Sequence, residues 1–169
     1  MCSSDLGPWT IGQAGNSTTK FTGYISNFRV VNGTAIYTSA FTPPTVPLTA
    51  IANTSVLTCQ SNRFIENSSN AYTISTVGTP SIQRFSPFNP TSPYSTSVIG
   101  GSGYFDNNSS YLTAPSNAAW TFGTGDFTVE AWVYVSAFTN YRGVVGNLIT
   151  NSDTTWQLDR KSTRLNSSH

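Results

Sequence analysis

Hydrophobic and polar positions in this chain alternate in short runs, and nowhere do they recur at helical spacing for long. The run 127–135 (FTVEAWVYV) is the strongest example. In an extended strand Phe127, Val129, Ala131 and Val133 share one side, while Thr128, Glu130, Trp132 and Tyr134 share the other. The first set reads as a core face. The second is aromatic and amphipathic, which suits a partly buried second face or a binding surface. Similar runs predict strands at 9–11, 21–31, 55–60, 71–77, 81–85, 103–105, 111–114, 143–149 and 155–158, separated by Gly, Asn, Pro and Ser clusters. The pair Asn32-Gly33 closes the second of these. The segment PSNAAW (115–120) predicts one helical turn with Ser116 or Asn117 as its N-cap. No segment has the periodicity for a longer helix.

Prolines 43, 44 and 47 cannot sit inside a paired strand and mark an extended connector. A module boundary is expected after it, near Thr49. The stretch 85–97, with three prolines, reads as a long surface loop.

Composition agrees with an all-β domain. Only 9% of the 169 residues are charged, against about 25% in typical soluble domains. Polarity comes instead from 49 Ser and Thr and from 15 Asn, while 22 aromatic residues supply material for a core. The net charge of +1 gives no electrostatic basis for nucleic-acid binding. No run of about 18 apolar residues is present, so no membrane insertion is expected.

The ends change these numbers. Residues 159–169 (DRKSTRLNSSH) resemble the translation of a common sequencing adapter, and residues 1–6 (MCSSDL) resemble the same adapter read in the opposite orientation. On that reading the body is 7–158, a piece of a longer protein. It is formally neutral, has no histidine, and keeps Cys59 as its one cysteine, so no intrachain disulfide is expected.

Two sets of residues in the body carry a family resemblance. Phe105-Asp106-Asn107-Asn108-Ser109-Ser110-Tyr111-Leu112, followed by Gly125-Asp126-Phe127-Thr128-Val129-Glu130-Ala131-Trp132-Val133, resembles the opening half of a laminin-G-like, concanavalin A-like jelly-roll domain. Phe21-Thr22-Gly23-Tyr24-Ile25-Ser26-Asn27-Phe28-Arg29-Val30 resembles the closing strands of the same family. The resemblance implies an all-β, two-sheet antiparallel sandwich. It also implies that 7–48 ends one module and 49–158 begins the next, in a tandem array similar to those of phage-tail and bacterial adhesion proteins. Because the first and last strands of such sandwiches lie close together, the two pieces are expected to pair with each other. Family members often hold calcium at a loop rim, which makes Asp106 and Asn107 the candidate metal ligands. Here Asn107 replaces the hairpin glycine and Ser110 the second aspartate.

The chemistry open to the body is limited. Without histidine, Ser-His-Asp and Cys-His catalysis are excluded, as are His-bearing zinc sites. Asp126 and Glu130 share parity, but four residues of strand separate them by about 13 Å, whereas glycosidase carboxylate pairs stand about 5–10 Å apart. The glycine clusters at 100–103 and 123–125 lack the lysine and helix of a phosphate loop and read as turns. The expected role is therefore non-catalytic. It would be carbohydrate binding or adhesion at an extracellular or virion surface, with Glu130, Trp132 and Tyr134 as candidate ligand-binding residues. A glycan or cell-surface polysaccharide is the expected partner, beside neighbouring repeats of the same chain. The alternatives are a structural spacer in a fibre and an ancillary part of a glycoside hydrolase.

Overall fold

The computed structural model describes residues 7–14, 19–61, 63–88, 101–136, 142–150 and 153–160. These form an all-β structure of two antiparallel five-stranded sheets packed about a shared core. The strands are β1 (Trp9–Ile11), β2 (Gln13–Ala14), β3 (Thr19–Lys20), β4 (Thr22–Asn32), β5 (Thr54–Thr58), β6 (Ser75–Val77), β7 (Ser81–Gln83), β8 (Ser102–Asp106), β9 (Tyr111–Ala114), β10 (Phe127–Val135), β11 (Arg142–Thr150) and β12 (Asp153–Arg160). One sheet has the order β12-β11-β1-β9-β6. The other has β10-β4-β8-β7, with β5 also on β4, and β2-β3 form a small separate ribbon.

The first 48 residues supply the middle of each sheet. β1 lies between β11 and β9, with Trp9 opposite Asn147 on one edge and Ala114 on the other. β4 lies against β10 along one edge, and β8 and then β5 share its other edge. The expected pairing of the two pieces is present in this form.

Between the sheets lie Trp9, Ile11, Phe21, Ile25, Phe28, Val30, Val56, Phe105, Leu112 and Val145, each at most 1% exposed. Trp9 stacks on Trp120 at 4.8 Å and meets Phe122 edge-on at 5.8 Å. Trp120 is held there by the 3-10 turn Ala118–Trp120, whose N-cap is Asn117. The Asn117 side chain accepts from the backbone N–H of Ala119, which satisfies an otherwise unpaired donor.

The long strand β4 keeps one face inward along its length only by means of a bulge. Arg29 pairs with Glu130 and Ser26 with Trp132, so two residues of β4, Asn27 and Phe28, stand opposite the single Ala131 of β10. Asn27 supplies the extra residue in a left-handed conformation (φ 54°), which asparagine tolerates better than most side chains. Before it, Tyr24 and Ser26 point outward and Ile25 inward. After it, Arg29 points outward while Phe28 and Val30 enter the core. Asn27 also marks where β4 changes partner from β8 to β5. Its N–H donates to the Cys59 carbonyl, and its Oδ1 accepts from the Leu48 N–H.

Some local expectations need adjustment. The predicted strand 71–77 shrinks to its last three residues, and Ala71 has a left-handed φ of 51°. The inward face of β10 is not core throughout. Val129, Ala131 and Val135 pack against the core, but Phe127 and Val133 are 47% and 39% exposed. β10 is the end strand of its sheet, so its extremities have neighbours on one side only. Of the expected loop 85–97, residues 85–88 are described and carry no strand, and 89–97 lie outside the described residues.

Candidate functional site

The outer face of the β10-β4-β8 sheet divides at the Asn27 bulge. On one side of it Glu130 is fully engaged. Its Oε1 is 2.5 Å from Arg29 Nη2 and accepts from Arg29 Nε at 2.7 Å, while its Oε2 accepts from the Tyr37 hydroxyl at 2.7 Å. Arg29 Nη1 donates to the Thr49 carbonyl at 2.8 Å. Burial, and then the hydrogen bond to the Glu130 carboxylate, raises the Tyr37 pKa. The Tyr37 ring stacks on Phe41 at 3.8 Å. Thr128 Oγ1 accepts from the Ile36 N–H and donates to the Thr34 carbonyl. The segment following β4 is therefore fastened across this half of the face.

The other half is open. Tyr24 of β4 and Tyr134 of β10 stand opposite each other in register, with Tyr104 of β8 on the far side of Tyr24. Their rings lie 5.9 and 5.1 Å from Tyr24. Phe85, from the loop after β7, closes the cluster at 5.0 Å from Tyr24 and 5.2 Å from Tyr134. Beside it a groove of about 200 Å³ is lined by Tyr24, Ser26, Phe85, Pro87, Ser102, Trp132, Val133 and Tyr134. Among the described residues no lining side chain carries a charge. Tyr134 is 55% and Phe85 48% exposed.

The polar atoms of the groove differ in how they are satisfied. Ser26 Oγ donates to the Gly101 carbonyl and accepts from Asn27 Nδ2. Ser102 is buried and lies on the same face, two residues from Tyr104 along β8. Its hydroxyl has no hydrogen-bond partner.

Of the predicted ligand-binding residues, Trp132 and Tyr134 thus meet at one groove, and Glu130 stands apart in its ion pair. Loop residues do pack on the two aromatics: Phe88 meets Trp132 edge-on at 5.7 Å, as Phe85 meets Tyr134. They cover the rings in part and leave the groove between them. Tyr24, Phe85 and Ser102 were not singled out by the sequence. The parity of Tyr24 within 21–31 was the available signal for the first of these, whereas Phe85 and Ser102 arrive through tertiary pairing.

Asp106 and Asn107 occupy the turn between β8 and β9. Asp106 Oδ1 accepts from the backbone N–H groups of Asn108 and Ser110 at 3.0 and 3.3 Å. Partial burial pushes the Asp106 carboxyl up, but hydrogen bonds from Asn108, Ser110 and Ser109 outweigh it and hold the pKa below the ordinary aspartate value. Asn107 is left-handed (φ 62°) and its N–H donates to the Phe21 carbonyl. The Lys20 ammonium donates to the Asn108 carbonyl in the same turn. Calcium takes six to eight oxygen ligands. A turn with one carboxylate, already holding two N–H donors and bearing an ammonium, does not fit that requirement. Among the described residues no three His, Cys, Asp or Glu side chains come together.

Cys59 is fully buried, and desolvation pushes its thiol up to about 12. A thiol in that state is not a nucleophile at neutral pH. Among the described residues no helix is long and apolar enough to cross a membrane. No protein-family model, curated protein or solved structure matches this chain.

Proposed function

We propose that this chain is a non-catalytic carbohydrate-binding or adhesion module of laminin-G-like, concanavalin A-like type, belonging to a multi-domain extracellular or phage-tail protein. The observation that carries this reading is the uncharged aromatic groove bordered by Trp132 and Tyr134 on the outer face of the sheet. Exposed aromatic rings held by a rigid sheet offer flat apolar surface at little cost in side-chain entropy. The C–H face of a pyranose ring suits such a surface. The groove stands on paired strands rather than on loops alone, which keeps its geometry fixed.

A spacer role in a fibre is the second reading. The nine-residue β10 ends its sheet and exposes Phe127, features suited to packing against a neighbouring module.

Glycan-array binding and thermal unfolding of Trp132→Ala and Tyr134→Ala separate these readings. Carbohydrate binding predicts loss of array signal in both variants, with unfolding midpoints within a few degrees of wild type. Signal that survives both substitutions removes the groove from the function. Midpoints falling in step with the signal return the two rings to a purely packing role.

A further inference from the structure

Resting on the carbohydrate reading, we infer the class of sugar: the groove takes a single uncharged pyranose residue, oriented by a hydrogen bond to Ser102. Three independent observations lead there.

The first is size. At about 200 Å³ the groove is smaller than the roughly 300–1,000 Å³ typical of pockets for drug-sized ligands. That is room for about one ring within the groove itself.

The second is charge. Among the described residues the lining holds no Lys, Arg, Asp or Glu, and the nearest acidic side chain along β10, Glu130, has both oxygens occupied. A carboxylate or sulfate entering the groove loses water and meets no cation, which is costly. It also faces the negative faces of aromatic rings. An uronic acid or sulfated sugar is therefore disfavoured, and a neutral hexose or deoxyhexose is accepted.

The third is Ser102. Its side chain is 1% exposed, sits on the groove's face of β8, and its hydroxyl is without a partner, whereas neighbouring Ser26 is fully bonded. A buried hydroxyl left unpaired costs stability, and a serine hydroxyl moves between staggered positions by rotation about one bond. One ligand hydroxyl satisfies it. Ser102 then acts as a positioning residue, fixing which edge of the ring enters, while Trp132 and Tyr134 supply the contact area.

The test uses the full chain and methyl pyranosides followed by NMR titration. The panel contains neutral hexosides and 6-deoxyhexosides, the corresponding uronides, and a matching disaccharide. Choline serves as a cationic control. Expected results are saturable binding of one or more neutral glycosides, uronides and choline each at least tenfold weaker, and less than a threefold gain from a second sugar unit. Ser102→Ala is expected to weaken the neutral ligand about five- to tenfold, the worth of one hydrogen bond, with an unfolding midpoint equal to or above wild type.

Uronides or choline binding as well as the neutral glycosides overturns the charge assignment. Undiminished affinity in Ser102→Ala overturns the role of Ser102. Tight binding of oligosaccharides without binding of monosaccharides overturns the single-ring site and leaves the carbohydrate reading standing. Failure of every saccharide with the fold intact overturns both.

Discussion

Two halves of one sheet face, only a few residues apart, have opposite fates. Glu130 and Trp132 follow each other at the same parity on β10. Yet Glu130 is sealed beneath the segment that follows β4, and Trp132 borders an open groove. The divider is the bulge at Asn27. Beyond it, β4 offers a charged residue whose partner is a carboxylate on the neighbouring strand, and the connector supplies a tyrosine hydroxyl and a carbonyl to complete the network. Before it, β4 and β8 offer tyrosines and serines, and the loop after β7 contributes rings rather than polar groups. Polar groups demand definite partners and so fix a covering segment in place. Aromatic rings accept several arrangements and leave gaps. A face with residues of both kinds thus carries a structural clasp and a recognition surface side by side.

The largest expected effect tests the sealed half. Glu130→Ala leaves the Arg29 guanidinium buried without its counter-ion, a change that costs about 3 kcal/mol or more. Chemical denaturation should show that loss, with neutral-sugar affinity at the groove unchanged in the folded protein. A matching loss of affinity would mean the halves are one unit. Next in size is Gly23→Ala. Gly23 has φ +142°, and a Cβ there would stand 2.0 Å from the Tyr134 carbonyl oxygen. The strained backbone and the clash with β10 should cost about 2 kcal/mol. Because the displaced residue is Tyr134, this variant should also weaken groove binding, unlike Glu130→Ala.

The last effect concerns pH and vanishes at neutrality. Cys59 has its thiol raised from an ordinary value near 9 to about 12 in the folded protein. Between these values the unfolded chain gives up its proton while the folded chain keeps it, so stability falls as pH rises through that window. The slope is about 1.4 kcal/mol per pH unit for the single group. Below pH 8 the contribution is constant. Alkaline unfolding should therefore be shallower in Cys59→Ala, which removes the thiol and keeps the backbone carbonyl that accepts from the Asn27 N–H. An unchanged slope would place the alkaline sensitivity elsewhere.

How much of this the sequence disclosed follows from the range of each interaction. β1, β4, β9 and β10 were legible because alternation and β-branched or aromatic residues are local signals. The turn at Ala118–Trp120 was legible from Asn117 and its neighbours. The two-residue strands β2 and β3 were not, since nothing in two residues distinguishes a strand from a loop. The shared groove of Trp132 and Tyr134 was half visible, as parity set both rings on one face. Glu130 sits on that same face, but its ion pair joins residues 101 apart in the chain, and no local pattern reports such a pairing. The bulge at Asn27 is intermediate. An asparagine in the middle of FTGYISNFRVV is a weak strand former, and only the register against β10 shows that it resets the face.

The central position of β1 and β4 also bears on how the chain reaches this state. Most of their partners are made late: β10 ends at Val135 and β11 at Thr150. Among the described residues β5 is the nearest partner of β4, and every other strand on β1 or β4 comes from much farther along the chain. Closing loops of about a hundred residues is slow compared with forming hairpins. Until those distant contacts form, the apolar sides of β1 and β4 lack their sheet neighbours and are the surfaces exposed to aggregation.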